Sequence, residues 1–429
     1  MASGFEGLRG GLCLLALAAC SSRQSAPPEA PPAAPEAPPA ATPEPAAPPK
    51  VPVTDEELAA FARASNAFAF DVYGAAPAGN LVFSPASLSL ALTMTWAGAR
   101  GETADEMARV LRLEGDDGAR HAAAGRILAS FNAGDALRVV NRLYGEQAFG
   151  FDPAFLTLLR ESYGAPFSPV DFAGDAETQR ARINGDVADF TRQRIPELLP
   201  AGSLDGLTRL VLVNAITFLA SWEHEFDPAE TRPEPFLVNG TGPAAPAPLM
   251  RQTRSLRYAE TGGAQVVELP YGDGAHSMVL VVPREPNGLP AIEGTLGETF
   301  AARRTPRPVR LTMPRWTFEG ARLPLLEVLP ALGMRRVFDA DAADLTGMAP
   351  AHAGGETLYV KRAFHEAFVK VDEEGTEAAA ATAVVVASRS AARPVPPVTV
   401  RADHPFAFAI VHRVSGTILF LGRVANPAP

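Results

Sequence analysis

Val371-Asp-Glu-Glu-Gly-Thr-Glu-Ala-Ala-Ala-Ala-Thr-Ala-Val-Val-Val-Ala-Ser-Arg389-Ser390 has a composition that suits neither an ordinary surface loop nor an ordinary helix. A connection of that length usually carries Gly, Pro, Asn and Asp; Ala, Thr and Val fill this one. At the strand period of two, Thr376, Ala378, Ala380, Thr382, Val384 and Val386 share one side. All are small and uncharged, so that side can be buried. The other side holds Glu377, Ala379, Ala381, Ala383 and Val385, which turns the charge inside the run outward. Gly375 lets the backbone turn where a side chain would obstruct. The run reads as a segment that can lie exposed and can also slide between two strands as an extra one. An Ala-rich helical linker is the other reading, because Ala is the best helix former.

Around this stretch the composition is that of a globular chain: 429 residues, 47% apolar and 20% charged. A formal charge of -10, with no basic run, argues against nucleic-acid binding, which needs a surplus of Lys and Arg. Both cysteines, Cys13 and Cys20, precede the folded part, which therefore has no disulfide or thiolate metal site. His365-Glu366-Ala-Phe-Val lacks the second histidine of a zinc-protease helix. No Gly-x-Ser-x-Gly elbow marks a hydrolase. No cofactor and no metal is expected, and the protein is not expected to be an enzyme.

Arg9 and the short apolar run to Cys20 have the layout of a secretory signal. Leu17-Ala18-Ala19-Cys20 resembles the lipobox of bacterial lipoproteins, which implies that Cys20 becomes a lipidated first residue; a plain signal with an incidental cysteine is the alternative. On the lipoprotein reading the chain is secreted across the inner membrane and held by its lipid at the outer membrane or cell surface. Residues 21–53 are mostly Ala, Pro and Glu, too poor in large apolar groups to fold, and read as a stiff tether.

The folded part opens at Thr54-Asp-Glu-Glu57, a capping box, and Leu58, Phe61, Phe68 and Val72 follow at helical spacing. Ser84-Pro85 supplies a cap and first-turn proline for a helix carrying Leu88, Leu92 and Trp96. Leu210 to Trp222 is a long apolar run that predicts a strand covered on both faces. Asn214 inside it must be hydrogen-bonded, since an unpaired buried amide costs about 1–3 kcal/mol. Strand-like segments then recur from Pro235 to Val282 and again at Val309–Arg315, and a final pair closes around Ser415-Gly416.

Glu373-Glu374-Gly375-Thr376-Glu377-Ala378-Ala379-Ala380 resembles the hinge of the serpin family, and the run from Val384 to Ser390 is similar to the reactive loop of antithrombin, one member. Phe83-Ser-Pro-Ala-Ser87, Gly101-Glu-Thr-Ala-Asp-Glu106, Glu268-Leu-Pro-Tyr-Gly272 and the C-terminal Phe-Leu-Gly-Arg-Val-Ala-Asn-Pro427 also match family motifs. The resemblance spans residues 54–427. It implies an α+β serpin fold, with three β-sheets, about nine helices and an exposed reactive-centre loop. It makes Ser84, Pro85, Ser87, Asn214 and His365 the shutter beneath the main sheet, and Arg315 and Trp222 the breach beside Glu373. Arg315 and Glu373 read equally well as solvated surface charges. The hinge residues able to insert are Glu373, Gly375, Thr376, Glu377, Ala378, Ala379, Ala380 and Thr382.

Counted from Glu373, the family's cleaved bond falls between Arg389 and Ser390. Arg393 is a rival, but Pro394 has no N–H and fits the leaving side of a protease poorly. The implied partner is a trypsin-like serine protease in a covalent acyl complex, and the implied molecule is a monomeric suicide inhibitor. A non-inhibitory serpin that acts as a binding or chaperone-like protein is the alternative. Glycosaminoglycan activation finds no basic helix to support it.

Overall fold

The computed structural model describes residues 52–114, 117–164, 167–242, 244–318, 322–350, 357–376 and 395–427. Cys20, residues 21–51 of the tether, and Glu377, Ala378, Ala379, Ala380, Thr382, Arg389 and Ser390 of the reactive segment lie outside them, whereas Val53, at the expected end of the tether, packs partly buried against the core. Among the described residues the helices are α1 (Asp55–Ala75), α2 (Pro85–Trp96), α3 (Gly101–Val110), α4 (Asp117–Phe131), α5 (Pro153–Tyr163), α6 (Phe172–Phe190), α7 (Leu289–Ile292), α8 (Leu296–Ala301) and α9 (Leu325–Ala331). The strands are β1 (Leu81–Phe83), β2 (Leu137–Glu146), β3 (Phe167–Val170), β4 (Leu210–Phe218), β5 (Ala220–Ser221), β6 (Arg232–Leu237), β7 (Ala244–Thr261) and β8 (Ala264–Pro270). They continue with β9 (His276–Pro283), β10 (Thr305–Pro314), β11 (Trp316–Phe318), β12 (Ala363–Val371), β13 (Gly375–Thr376), β14 (Val398–Arg401), β15 (Phe406–His412) and β16 (Ile418–Val424).

Local chemistry sets the helix starts. Thr54 accepts from the Glu57 amide while the Glu57 carboxylate takes the Thr54 amide, closing the capping box of α1. Ser84 caps α2 through its hydroxyl, with Pro85 in the first turn, where the missing N–H is harmless. Every residue of α2 is buried, so this helix runs through the interior; Ser89 bonds to Ser65 of α1, and Thr93 and Thr95 bond back to carbonyls of the helix itself.

One sheet has the order β3-β2-β4-β12-β13-β5, with β11 also paired to β12. The other runs β1-β16-β15-β9-β8-β7-β10-β14, with β6 also paired to β7. Strand β7 pairs with β6 at Ala244–Leu249 and with β8 at Arg257–Thr261, while β10 follows its other edge. Two of the three expected sheets are thus continuous in their hydrogen bonding.

β4 is buried along its whole length because the first sheet separates two cores. Leu212, Ile216 and Phe218 enter the large core shared with α1, α2 and the second sheet. Val211, Val213 and Ala215 point the other way, into a smaller core under α6 with Phe172, Ile183 and Val187.

β4 and β12 are parallel neighbours from Ala363 opposite Leu212 to Phe368 opposite Thr217. Past that point they fork. β13 lies in the fork between β12 and β5, antiparallel to both, with Thr376 opposite Val371 on one side and Ala220 on the other.

Candidate functional site

Two clusters of polar contacts flank the seam between β4 and β12, one below the sheet and one at the fork. In the lower cluster His365 lies beside Asn214, as the strand register requires. The Ser84 amide donates to His365 Nε2 at 2.9 Å, so the ring proton sits on Nδ1, which faces Asn214 Oδ1 at 2.5 Å. The Asn214 amide nitrogen in turn reaches Ser87 Oγ and Asn141 Oδ1, both at 2.6 Å, and the Ser87 carbonyl at 3.2 Å. Ser84, Ser87, Asn214 and His365 are each at most 1% exposed. Burial pushes the His365 pKa down to about 4, so the ring is neutral at neutral pH and can accept the Ser84 amide.

The structure therefore brings together Ser84, Pro85, Ser87, Asn214 and His365. It adds Asn141, which the sequence did not single out. Asn141 is set opposite Asn214 by the antiparallel β2/β4 register, and nothing in a lone Asn within an alternating strand announces that partner.

At the fork Glu373 is buried, with its side chain 5% exposed, and Arg315 meets it with Nε at 2.7 Å and Nη2 at 2.6 Å. The Thr231 hydroxyl also donates to this carboxylate. The pair is not a solvated surface contact, since one member is withdrawn from water and depends on its guanidinium. The Trp222 amide donates to the Glu374 carbonyl, and the Phe226 amide to the Glu373 carbonyl, both at 2.9 Å. The Trp222 indole donates to the Asp372 carbonyl at 2.9 Å, and its ring stacks on Tyr271, with centroids 4.6 Å apart. Tyr271 Oη lies 2.6 Å from Thr376 Oγ1, and Thr376 is fully buried. A side chain at Gly375 has no room: its Cβ would fall 2.2 Å from the Ala220 carbonyl oxygen. Tyr271, which the sequence marked only within a family motif and with no role here, and Thr231, which it did not mark, are further members, with partners 105 and 142 residues away.

Gly375 and Thr376 thus lie between β5 and β12 at the fork, and beyond the fork β4 and β12 pair directly with each other. The chain belongs to the serpin family: the model of the family described as serpin, serine protease inhibitor, matches residues 63–427. Leukocyte elastase inhibitor A of Rattus norvegicus is 36% identical over 382 residues, covering 85% of this chain and 98% of the relative. An uncharacterized serpin-like protein of Thermococcus kodakarensis is 36% identical over 375 residues and covers 85% of each chain. Among solved structures, the thermophilic serpin tengpin in its native state superposes with a TM-score of 0.78 at 25% identity, over 89% of this chain and 97% of that one.

The relatives correct the expected location. Leukocyte elastase inhibitors from rat, cattle and human match this chain along nearly all of their own length, which leaves no counterpart in them of a leader, a lipidated Cys20 or a tether. A secreted, lipid-anchored protein at an outer membrane is therefore unsupported. The expectation rested on short N-terminal composition alone, and an apolar run ending in a small-residue tetrapeptide is a weak signal.

Proposed function

We propose that this protein is a suicide inhibitor of trypsin-like, Arg-specific serine proteases, cleaved between Arg389 and Ser390. The observation that carries the reading is β13: Gly375 and Thr376 already lie between β5 and β12, antiparallel to both, which is how an inserting strand would begin. Carrying that register onward sets Ala378 opposite Val369 and Phe218, Ala380 opposite Ala367 and Ile216, and Thr382 opposite both His365 and Asn214. In the inserted form the inward file of small residues would then run along the large-core face. Thr382 would meet the two groups that now bond each other, with a hydroxyl able to satisfy both.

In this mechanism the protease serine attacks the Arg389 carbonyl, the Ser390 amine leaves with the proton passed to it, and an acyl ester remains. The freed segment then enters the seam. About fourteen residues at roughly 3.3 Å each carry the ester by on the order of 45 Å. Each ladder bond gained adds about 0.5–1.5 kcal/mol. Dragging the acylated serine out of place disorders the oxyanion hole, and losing one donor there slows deacylation by about two to three orders of magnitude. Arg389 selects the protease, because a specificity pocket with a buried carboxylate takes Arg or Lys.

The test is to mix the protein with trypsin and look for a complex that survives detergent. Arg389→Ala is expected to abolish that complex and to leave the melting temperature of the intact protein unchanged. Equal trapping by the variant would remove Arg389 from its role. Clean cleavage of the wild type with neither a complex nor a gain in heat stability would favour the non-inhibitory binding reading.

A further inference from the structure

The small core under α6 is lopsided. It takes Tyr144 from β2, Val170 from β3, and Val211, Val213 and Ala215 from β4, but only Phe368 from β12 as a fully buried member. The segment after α6 is bound to that same side: Arg180 reaches the Leu199 carbonyl at 2.6 Å, and Asn184 bonds both the amide and the carbonyl of Leu199. Tyr144 Oη donates to Asp186 of α6 at 2.8 Å. Helix α6 and residues 191–209 therefore ride with β2 and β4, and whatever joins them to β12 spans the seam.

Beside the packing of Phe368 and the partly buried Phe364 of β12 into this core, three cations make that join. Lys361, two residues before β12, meets Asp205 at 2.6 Å. Arg322, bridged to Glu366 on the far edge of β12, donates to the Glu366 carboxylate at 3.1 Å and extends its other arm to the Glu197 carbonyl at 2.5 Å. The Arg194 guanidinium lies over the Phe368 ring at 5.9 Å. They sit at successive heights: Arg194 near the fork, Arg322 midway and Lys361 at the far end.

We propose that Lys361, Arg322 and Arg194 form a cationic strap across the β4/β12 seam that sets how fast the sheet parts. This rests on the strand-insertion reading above and assigns its regulation. The three are positioning residues: none touches the protease or the cleaved bond, and each must let go before a strand can pass beneath it. Because the contacts are partly exposed, releasing one should speed opening by roughly two- to fivefold, and releasing two by about tenfold.

The test uses full-length Lys361→Met, Arg322→Lys and the double variant. Lysine at 322 keeps a cation beside the buried Glu366 and gives up the second arm. Amide hydrogen exchange should quicken along Leu212–Thr217 and Ala363–Phe368 by those factors, with β15 and β16 unchanged. The number of inhibitor molecules consumed per trapped trypsin should fall toward one, and the loop-cleaved form should melt as the wild type does. Unaltered exchange at the seam, or an equal rise in β15 and β16, overturns the strap. Faster seam exchange in a protein whose wild type never traps trypsin leaves the strap standing and removes the inhibitor reading instead.

Discussion

Gly375→Ala is the smallest change that asks whether lodging the hinge matters. The added methyl would sit 2.2 Å from the Ala220 carbonyl oxygen, 2.7 Å from Ser221 Cα and 3.0 Å from the Ala220 carbonyl carbon. All three are backbone atoms of a paired strand, so no side chain can swing aside, and Gly375-Thr376 must leave the fork. Leaving forfeits the bonds β13 makes with its neighbours, each about 0.5–1.5 kcal/mol. It also strips the partner from Tyr271, whose hydroxyl is held protonated by burial and 2.6 Å from Thr376. A buried donor without an acceptor costs about 1–3 kcal/mol. The total against the lodged hinge is roughly 2–5 kcal/mol, more than a factor of ten in any step that starts from it. The assay is titration of trypsin with inhibitor, with trapped and cleaved inhibitor separated on a denaturing gel. The variant should be mostly cleaved and released, while Trp222, which stacks on Tyr271 and bonds the Asp372 carbonyl, reports the departure by fluorescence. Trapping as efficient as wild type, with unchanged fluorescence, would refute the reasoning that the fork must hold these residues before insertion.

Two further perturbations probe the clusters directly. His365 in the fold is held to about 4 against an unfolded value near 6.5, so it favours the fold above that higher value and loses its contribution as the pH falls toward 4. At pH 5 the loss is roughly 2 kcal/mol. Denaturant unfolding of wild type against His365→Phe between pH 7.5 and 5 should show this difference, and the comparison cancels His121, which burial also pushes down to about 4; parallel pH curves would remove the role. Arg315→Met should destabilise the intact protein by about 3–5 kcal/mol, because Glu373 is left buried with Thr231 as its remaining side-chain partner. Thermal melting of the intact form checks it, and an unchanged melting temperature would mean that Glu373 relaxes into water.

Much of the fold follows local rules and can be read along the chain. The capping box at Thr54, the Ser84-Pro85 start of α2 and the doubly buried run of β4 each depend on residues within a few positions of one another. Strand β7 shows where such reading stops. Pro246 and Pro248 interrupt its pattern, and the segment reads as a strand only from Leu256. In the fold each proline faces another, Pro246 opposite Pro235 and Pro248 opposite Pro233, at pairs that require no N–H, so the ladder continues through them.

The sequence by itself determined that a strip of small, neutral residues follows a glycine hinge, because a period of two and the absence of large or charged inward groups are properties of the chain alone. Tertiary structure decided where that strip can go. The pairing of β4 with β12, about 150 residues apart, creates the seam, seats Asn141 and Tyr271 beside it and stretches three cations over it. Those contacts come from register and packing between distant strands, and a residue's neighbours in space are not encoded by its neighbours in sequence.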